Sequence, residues 1–234
     1  MSKPLDAKET FLPTSGWFHD AGVRIRTRWF VKMAGTALCM TAFFLGYFWL
    51  LNHSRLPVTT VPRIFVDRMI PFQPAALPLY ISLWLYVPLA PALFRMTREM
   101  KVYPVAVVVL SLIGFGVFIV WPTAVPRPEV DASLVKSLAY LKTVDASGNA
   151  FPALHGAFAV FTALQFRQIL REMRSGLLLR GLNWLWCLGI VYSTIAIRQH
   201  VALDAVSGAI LGAVVALVYL RVVYGPGAGP VVRG

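Results

Sequence analysis

The chain has 234 residues, of which 58% are apolar and 14% charged, with a mean hydropathy of +0.68 and a formal net charge of +12. A soluble domain is about 45–50% apolar and about 25% charged, and surface-to-volume scaling leaves too much of a chain this size outside to hide the excess. Composition thus excludes a soluble globular body; high hydropathy, aperiodic glycines and only two cysteines also exclude a disordered chain, a collagen-like repeat and a disulfide scaffold.

What is left is a polytopic membrane protein. Its spans are expected to be helices, since only helices and closed barrels satisfy their backbone in lipid, and barrel strands would alternate polar and apolar residues. Residues 1–28 are polar and charged and are expected to form a cytoplasmic N-terminal segment with no cleavable signal peptide. The first span would then be its own insertion signal. A crossing helix needs about 20 apolar residues. The segments 33–51, 73–94, 102–121, 151–166, 178–197 and 201–220 meet or approach that need. The expected fold is all-α, a six-transmembrane-helix bundle over residues 29–224, followed by a flexible Gly/Pro-rich tail, 225–234. Trp29, Phe30, Trp121, Trp184, Trp186, Tyr219 and Tyr224 lie near span ends, where aromatic belts sit. Gly208 and Gly212 give the last span a small-xxx-small face suited to close helix packing.

The basic residues sort by side. Fifteen of the 22 Lys and Arg fall in the N-terminal region, the 95–101 and 167–180 loops and the tail. Arg55, Arg63, Arg68, Arg127, Lys136, Lys142 and Arg198 fall on the other side, while acidic residues divide evenly. Positive charge collects in the cytoplasm, so both termini are expected inside and loops 52–72, 122–150 and 198–200 outside. The net charge is explained without nucleic acid. Cys39 and Cys187 fall inside spans and read as small hydrophobes.

Polar chemistry collects at the outer ends of the spans. His19 and His53 read as solvated or interfacial residues. His155 and His200 stand beside Arg, Asp and Pro residues that are costly at membrane depth. After the third span comes Pro122-Thr-Ala-Val-Pro-Arg-Pro128; its prolines stiffen a short path that carries Arg127. Asn149-Ala-Phe-Pro-Ala-Leu-His155 opens the fourth span, with Pro152 expected in the first helical turn and His155 near a helix N-terminus that favours an anion. Across spans five and six runs Ser193-Thr-Ile-Ala-Ile-Arg-Gln-His-Val-Ala-Leu-Asp204. His200 and Asp204 are four apart, on one expected helix face. An Asp that accepts from one imidazole nitrogen frees the other to attack. Each element alone has a bland reading: a snorkelling Arg, an interfacial His, an ion pair. Together, two imidazoles, a carboxylate, Arg127 and Arg198 make a set for phosphoryl transfer without metal or cofactor. One His attacks phosphorus, the other protonates the leaving oxygen, and the guanidiniums hold the developing charge. His-x-x-x-Asp also suits two metal ligands; two Arg beside a divalent cation argue against it.

Arg-Pro, then Pro-x-x-His, then His-x-x-x-Asp resembles the type 2 phosphatidic acid phosphatase superfamily, six-span lipid phosphatases and phosphotransferases. Phe-Pro-Ala-Leu-His, Arg-Gln-His-Val-Ala-Leu-Asp and Pro-Thr-Ala-Val-Pro-Arg-Pro look most like the branch containing inositol phosphorylceramide synthase and its bacterial relatives, and the stretch Phe65-Val-Asp-Arg-Met-Ile-Pro-Phe72 also resembles it. The similarity covers roughly residues 57–215. The resemblance implies that His200 is the nucleophile of a phosphohistidine intermediate and that Asp204 orients it. It makes His155 the general acid and then base, and Arg127 a phosphate ligand. Three positions depart from the superfamily pattern: Val120 stands for a Lys, Ala153 for a Ser and Thr194 for an Arg. Arg198 is the candidate replacement for the last charge.

The leading expectation is a hydrolase in the cell inner membrane or its equivalent, removing phosphate from a phosphatidate-type or prenyl phosphate at the non-cytoplasmic face. Its partners would be the lipid phosphate and membrane lipids, and a homodimer is compatible with the reading. The alternatives are a headgroup transferase to a lipid hydroxyl, an inactive lipid-binding relative, and a small transporter. The last is disfavoured because no span carries a row of charge along a path.

Overall fold

The structure, a computed structural model, describes residues 16–53, 56–126 and 149–226. Its helices are α1 (Trp17–Arg26), α2 (Trp29–Asn52), α3 (Phe65–Met69), α4 (Leu77–Ile81), α5 (Leu83–Ala92), α6 (Thr97–Val120), α7 (Leu154–Glu172), α8 (Leu177–Ala196) and α9 (Ala202–Tyr224). Two short strands, β1 (Thr59–Thr60) and β2 (Thr123–Ala124), pair in parallel.

Among the described residues, four helical stretches are long and apolar enough to cross a membrane: Trp29–Asn52, Pro74–Ala92, Thr97–Val120 and Ala202–Tyr224. Their outer faces carry exposed Leu38, Leu45, Val105, Leu112, Ile210 and Val214, which is the surface a lipid solvent requires. The second expected span is not one helix. A 3₁₀ turn (Pro74–Ala76) leads into α4, and α4 gives way to α5 at Ser82. Pro78, Pro88 and Pro91 remove N–H donors from this stretch. The break is held by Ser82, whose hydroxyl donates to the Leu79 carbonyl at 2.6 Å and accepts from Trp186 Nε1 at 2.8 Å.

The fourth expected span, α7, is the central helix. Leu154 through Ala159 are all buried, as are Thr162 and Gln165 deeper down. A helix wrapped by protein needs no continuous apolar surface, which explains how α7 accommodates Thr162 and Gln165 along its length. Its closest neighbour is α9. A Cβ built on Gly208 would lie 2.1 Å from the Ala153 carbonyl oxygen, and one on Gly212 2.1 Å from that of Ala157. Only hydrogen fits there, so the two helices touch backbone to backbone along the small-residue face.

The two ends of the bundle differ in chemistry. At one end, Arg24 on α1 pairs with Asp20 and with Glu172 at the close of α7, and Lys32 donates to the Arg24 and Ala92 carbonyls. Buried Glu99 accepts from the Arg95 and Met96 amides and from the Tyr224 hydroxyl. At the other end, α7 and α9 both begin, and the loop segments come together. Thr59 N donates to Pro122 O at 2.9 Å, Val61 N to Ala124 O at 3.0 Å and Ala150 N to Thr123 O at 3.1 Å.

Candidate active site

His155 is the second residue of α7. The helix begins later than the sequence implies: Pro152 precedes the N-cap, Ala153, instead of lying in the first turn. The entry is held from outside the helix. Phe151 N donates to Thr123 Oγ1 at 2.7 Å, and Ala153 N donates to the Asp204 carbonyl at 3.0 Å. The second bond joins the start of α7 to the start of α9.

The His155 imidazole is buried and seated on aromatic rings. It stacks on Tyr80 with centroids 3.8 Å apart and planes 4° from parallel, and the Trp84 ring meets it edge-on at 5.7 Å. Its Nε2 lies 2.9 Å from the Tyr80 carbonyl oxygen. A carbonyl only accepts, so Nε2 carries a proton and Nδ1 is the nitrogen left to exchange one with a substrate. Neither Tyr80 nor Trp84 stands out in the sequence as a site residue. Tyr80 contributes a ring face and a main-chain oxygen, and no motif encodes either.

His200 lies in the turn between α8 and α9, just before the N-cap Val201. The helical spacing expected of His200 and Asp204 is therefore not what joins them; the turn does. Gln199 N and His200 N both donate to Thr194 O at 3.0 Å, and Arg198 adopts a left-handed φ of 62°. Val201 N donates to Asp204 Oδ2 at 3.1 Å, which folds the carboxylate back over the turn. His200 Nδ1 then lies 3.7 Å from Asp204 Oδ2. That is an ion-pair distance and too long for a hydrogen bond. Both His200 Nδ1 and Asp204 Oδ1 are buried without a hydrogen-bond partner. An imidazole so placed directs Nε2 away from the carboxylate. His155 follows Ala153 by two residues, and Ala153 N is bonded to the main chain of Asp204, whose carboxylate faces His200 Nδ1.

Arg198 donates from Nη1 to Asp67 O at 2.9 Å and from Nη2 to Ile70 O at 2.8 Å. These bonds use two of the five guanidinium donors. Arg127 lies outside the described residues. The described part of its loop is laced to the entry of α7 through Thr123, and Arg63 Nη2 donates to Pro126 O at 3.4 Å. Among the positions that depart from the resembled pattern, Ala153 is fully buried with its carbonyl against Gly208, and Thr194 supplies the carbonyl that holds the His200 amide. Val120 is exposed at the end of α6. Among the described residues, no group of three or more His, Cys, Asp or Glu side chains is arranged to hold a metal ion.

A family model described as the PAP2 superfamily matches residues 101–227, more than half of the chain and the whole of α7, α8 and α9. The residues that seat His155, Tyr80 and Trp84, lie before the matched stretch. No curated protein and no solved structure gives a match.

Proposed function

The chain belongs to the PAP2 superfamily, and on that premise we propose that it is a six-span membrane hydrolase that removes phosphate from a lipid phosphoester. The substrate is of the phosphatidate or prenyl phosphate type. The observation that carries the reading is the junction of α7 and α9. Their adjoining starts bring together two imidazoles, one 3.7 Å from a buried carboxylate and the other with Nε2 held by a carbonyl.

In this mechanism His200 Nε2 attacks phosphorus, forming an N–P bond as the P–O bond to the lipid breaks. Asp204 keeps the other His200 nitrogen protonated and in line. His155 enters this step as the imidazolium, with Nε2–H on the Tyr80 carbonyl, and the departing lipid alkoxide takes the proton on Nδ1, leaving the ring neutral. Water then attacks the phosphohistidine, His155 Nδ1 accepts its proton, and inorganic phosphate leaves as the N–P bond breaks. Arg198 and Arg127 stabilise the charge on the phosphoryl oxygens.

Two further features support a lipid substrate and a non-cytoplasmic site. An apolar cleft between α2, α5 and α7 is lined by Cys39, Phe44, Trp84, Val87 and Phe158. Its wall Trp84 is the residue that edges His155, so a hydrocarbon chain in the cleft would hang beneath the imidazole. The basic 95–101 and 167–180 loops, the cytoplasmic side by charge, lie at the opposite ends of α6 and α7 from the two imidazoles.

The test is a panel of lipid phosphates presented to the purified protein and to His200→Ala, with free phosphate and new phospholipid both followed. The expected result is phosphate release by the wild type and none by the variant. New phospholipid without free phosphate would identify a headgroup transferase, and no turnover of any substrate would identify an inactive relative.

A further inference from the structure

We infer that Asp67, on the short helix α3 of the outer loop, is a positioning residue for the His200 nucleophile. Asp67 is 1% exposed, although it belongs to a connecting segment, and a carboxylate is rarely buried so fully without work for both oxygens. Its Oδ2 accepts from Ile64 N at 2.8 Å, capping its own helix, and its Oδ1 accepts from Ala202 N at 2.7 Å, capping α9 from a distant part of the chain. The same residue's carbonyl receives Arg198 Nη1 at 2.9 Å.

Asp67 therefore grips the chain on both sides of the nucleophile. Its main chain holds residue 198, its side chain holds residue 202, and His200 sits midway between them. The turn needs such a bracket. Arg198 stands in a left-handed conformation that a non-glycine residue adopts at a cost. Val201 N is satisfied by Asp204, and the next amide of α9 by Asp67. Without Asp67 the Ala202 amide would be a buried donor with no acceptor. Asp204 Oδ2 is the natural substitute, and taking that bond would draw it from the imidazole it orients. Asp67 thus leaves Asp204 free to serve His200. The family match begins after Asp67, so this bracket comes from the part of the chain that precedes the shared core.

This inference rests on the phosphatase reading for its kinetics but not for its chemistry, so the experiment has two arms on the full-length protein in detergent. The first is carbethoxylation of His200 by diethyl pyrocarbonate, read by mass spectrometry with exposed His19 as the internal reference; it needs no substrate. Asp67→Ala should change the His200 rate at least threefold relative to His19. Asp67→Asn keeps a carbonyl oxygen for the Ala202 amide and should restore the wild-type rate. The second arm is turnover of a lipid phosphate: Asp67→Ala should lower kcat tenfold or more with KM within twofold, and Asp67→Asn should recover most of the loss. If Asp67→Ala fails to accumulate, Asp67→Ser, whose hydroxyl is too short to reach Ala202, takes its place with the same expectations. Unchanged His200 labelling in the folded variant overturns the proposal whatever the kinetics. A wild type that turns over no lipid phosphate sinks the phosphatase reading, and the labelling arm still decides the role of Asp67.

Discussion

Each imidazole is fixed by a different kind of partner, and the difference sets what substitution should do. His155 is held by a carbonyl and two aromatic rings, so it presents one nitrogen at a fixed angle. Loss of a positioned general acid costs about 10²–10⁴-fold in rate, and His155→Ala should fall in that range when phosphate release is measured. Tyr80→Leu keeps the carbonyl and removes the stacking face. A ring contact is worth about 0.5–1.5 kcal/mol, so kcat should drop roughly 2–10-fold, far less than for His155→Ala. An equal loss in the two variants would show that the ring does more than orient. His155, His200 and Asp204 stand out in the sequence as candidates because ionisable groups at span ends are costly and therefore conspicuous. Tyr80 and Trp84 were not, because an aromatic near a span end reads as belt or core. Asp67 was visible only as part of a family-like stretch, since nothing in its spacing reveals that its oxygens reach residue 202.

At the scale of elements, the site depends on how closely α7 and α9 approach. Gly208 and Gly212 were readable as a packing face, but their partner was not, since a small-residue motif does not say which helix it meets. The structure sets them against Ala153 and Ala157, and Ala153 lies two residues before His155. Gly208→Ala must push the helices apart, because the 2.1 Å contact is with backbone. Overpacking of this kind costs about 1–3 kcal/mol. Thermal unfolding in detergent should show a lowered midpoint for Gly208→Ala, and phosphate release should fall with it. Gly116→Ala, where nothing lies within 4 Å, should be neutral or slightly stabilising. A Gly208→Ala variant as stable and active as wild type would remove the packing argument. The four long apolar stretches were legible from hydropathy. The break at Ser82 and the late start of α7 were not. Both are set by tertiary hydrogen bonds, from Trp186 and to Asp204 and Thr123, which leave no periodic trace.

Across the whole molecule, the proposed function requires that the two ends of the bundle face different compartments. Charge bias predicts one such orientation, and the folded chain gathers the Arg24, Lys32, Glu99 and Glu172 network at the end away from the imidazoles. Sidedness is checked by single cysteines on a background lacking Cys39 and Cys187. An impermeant maleimide added to intact cells should label exposed Val58→Cys, beside β1 at the imidazole end, and should label Arg95→Cys only after permeabilisation. The reverse pattern would invert the topology. The account as a whole turns on a covalent bond between phosphorus and His200. The most direct measurement is rapid quench of the protein with a lipid phosphate carrying labelled phosphorus, followed by peptide mapping. The expected result is an acid-labile phosphoryl group on the peptide containing His200, absent from His200→Ala. Steady phosphate release by His200→Ala, or a label on any other residue, would contradict it.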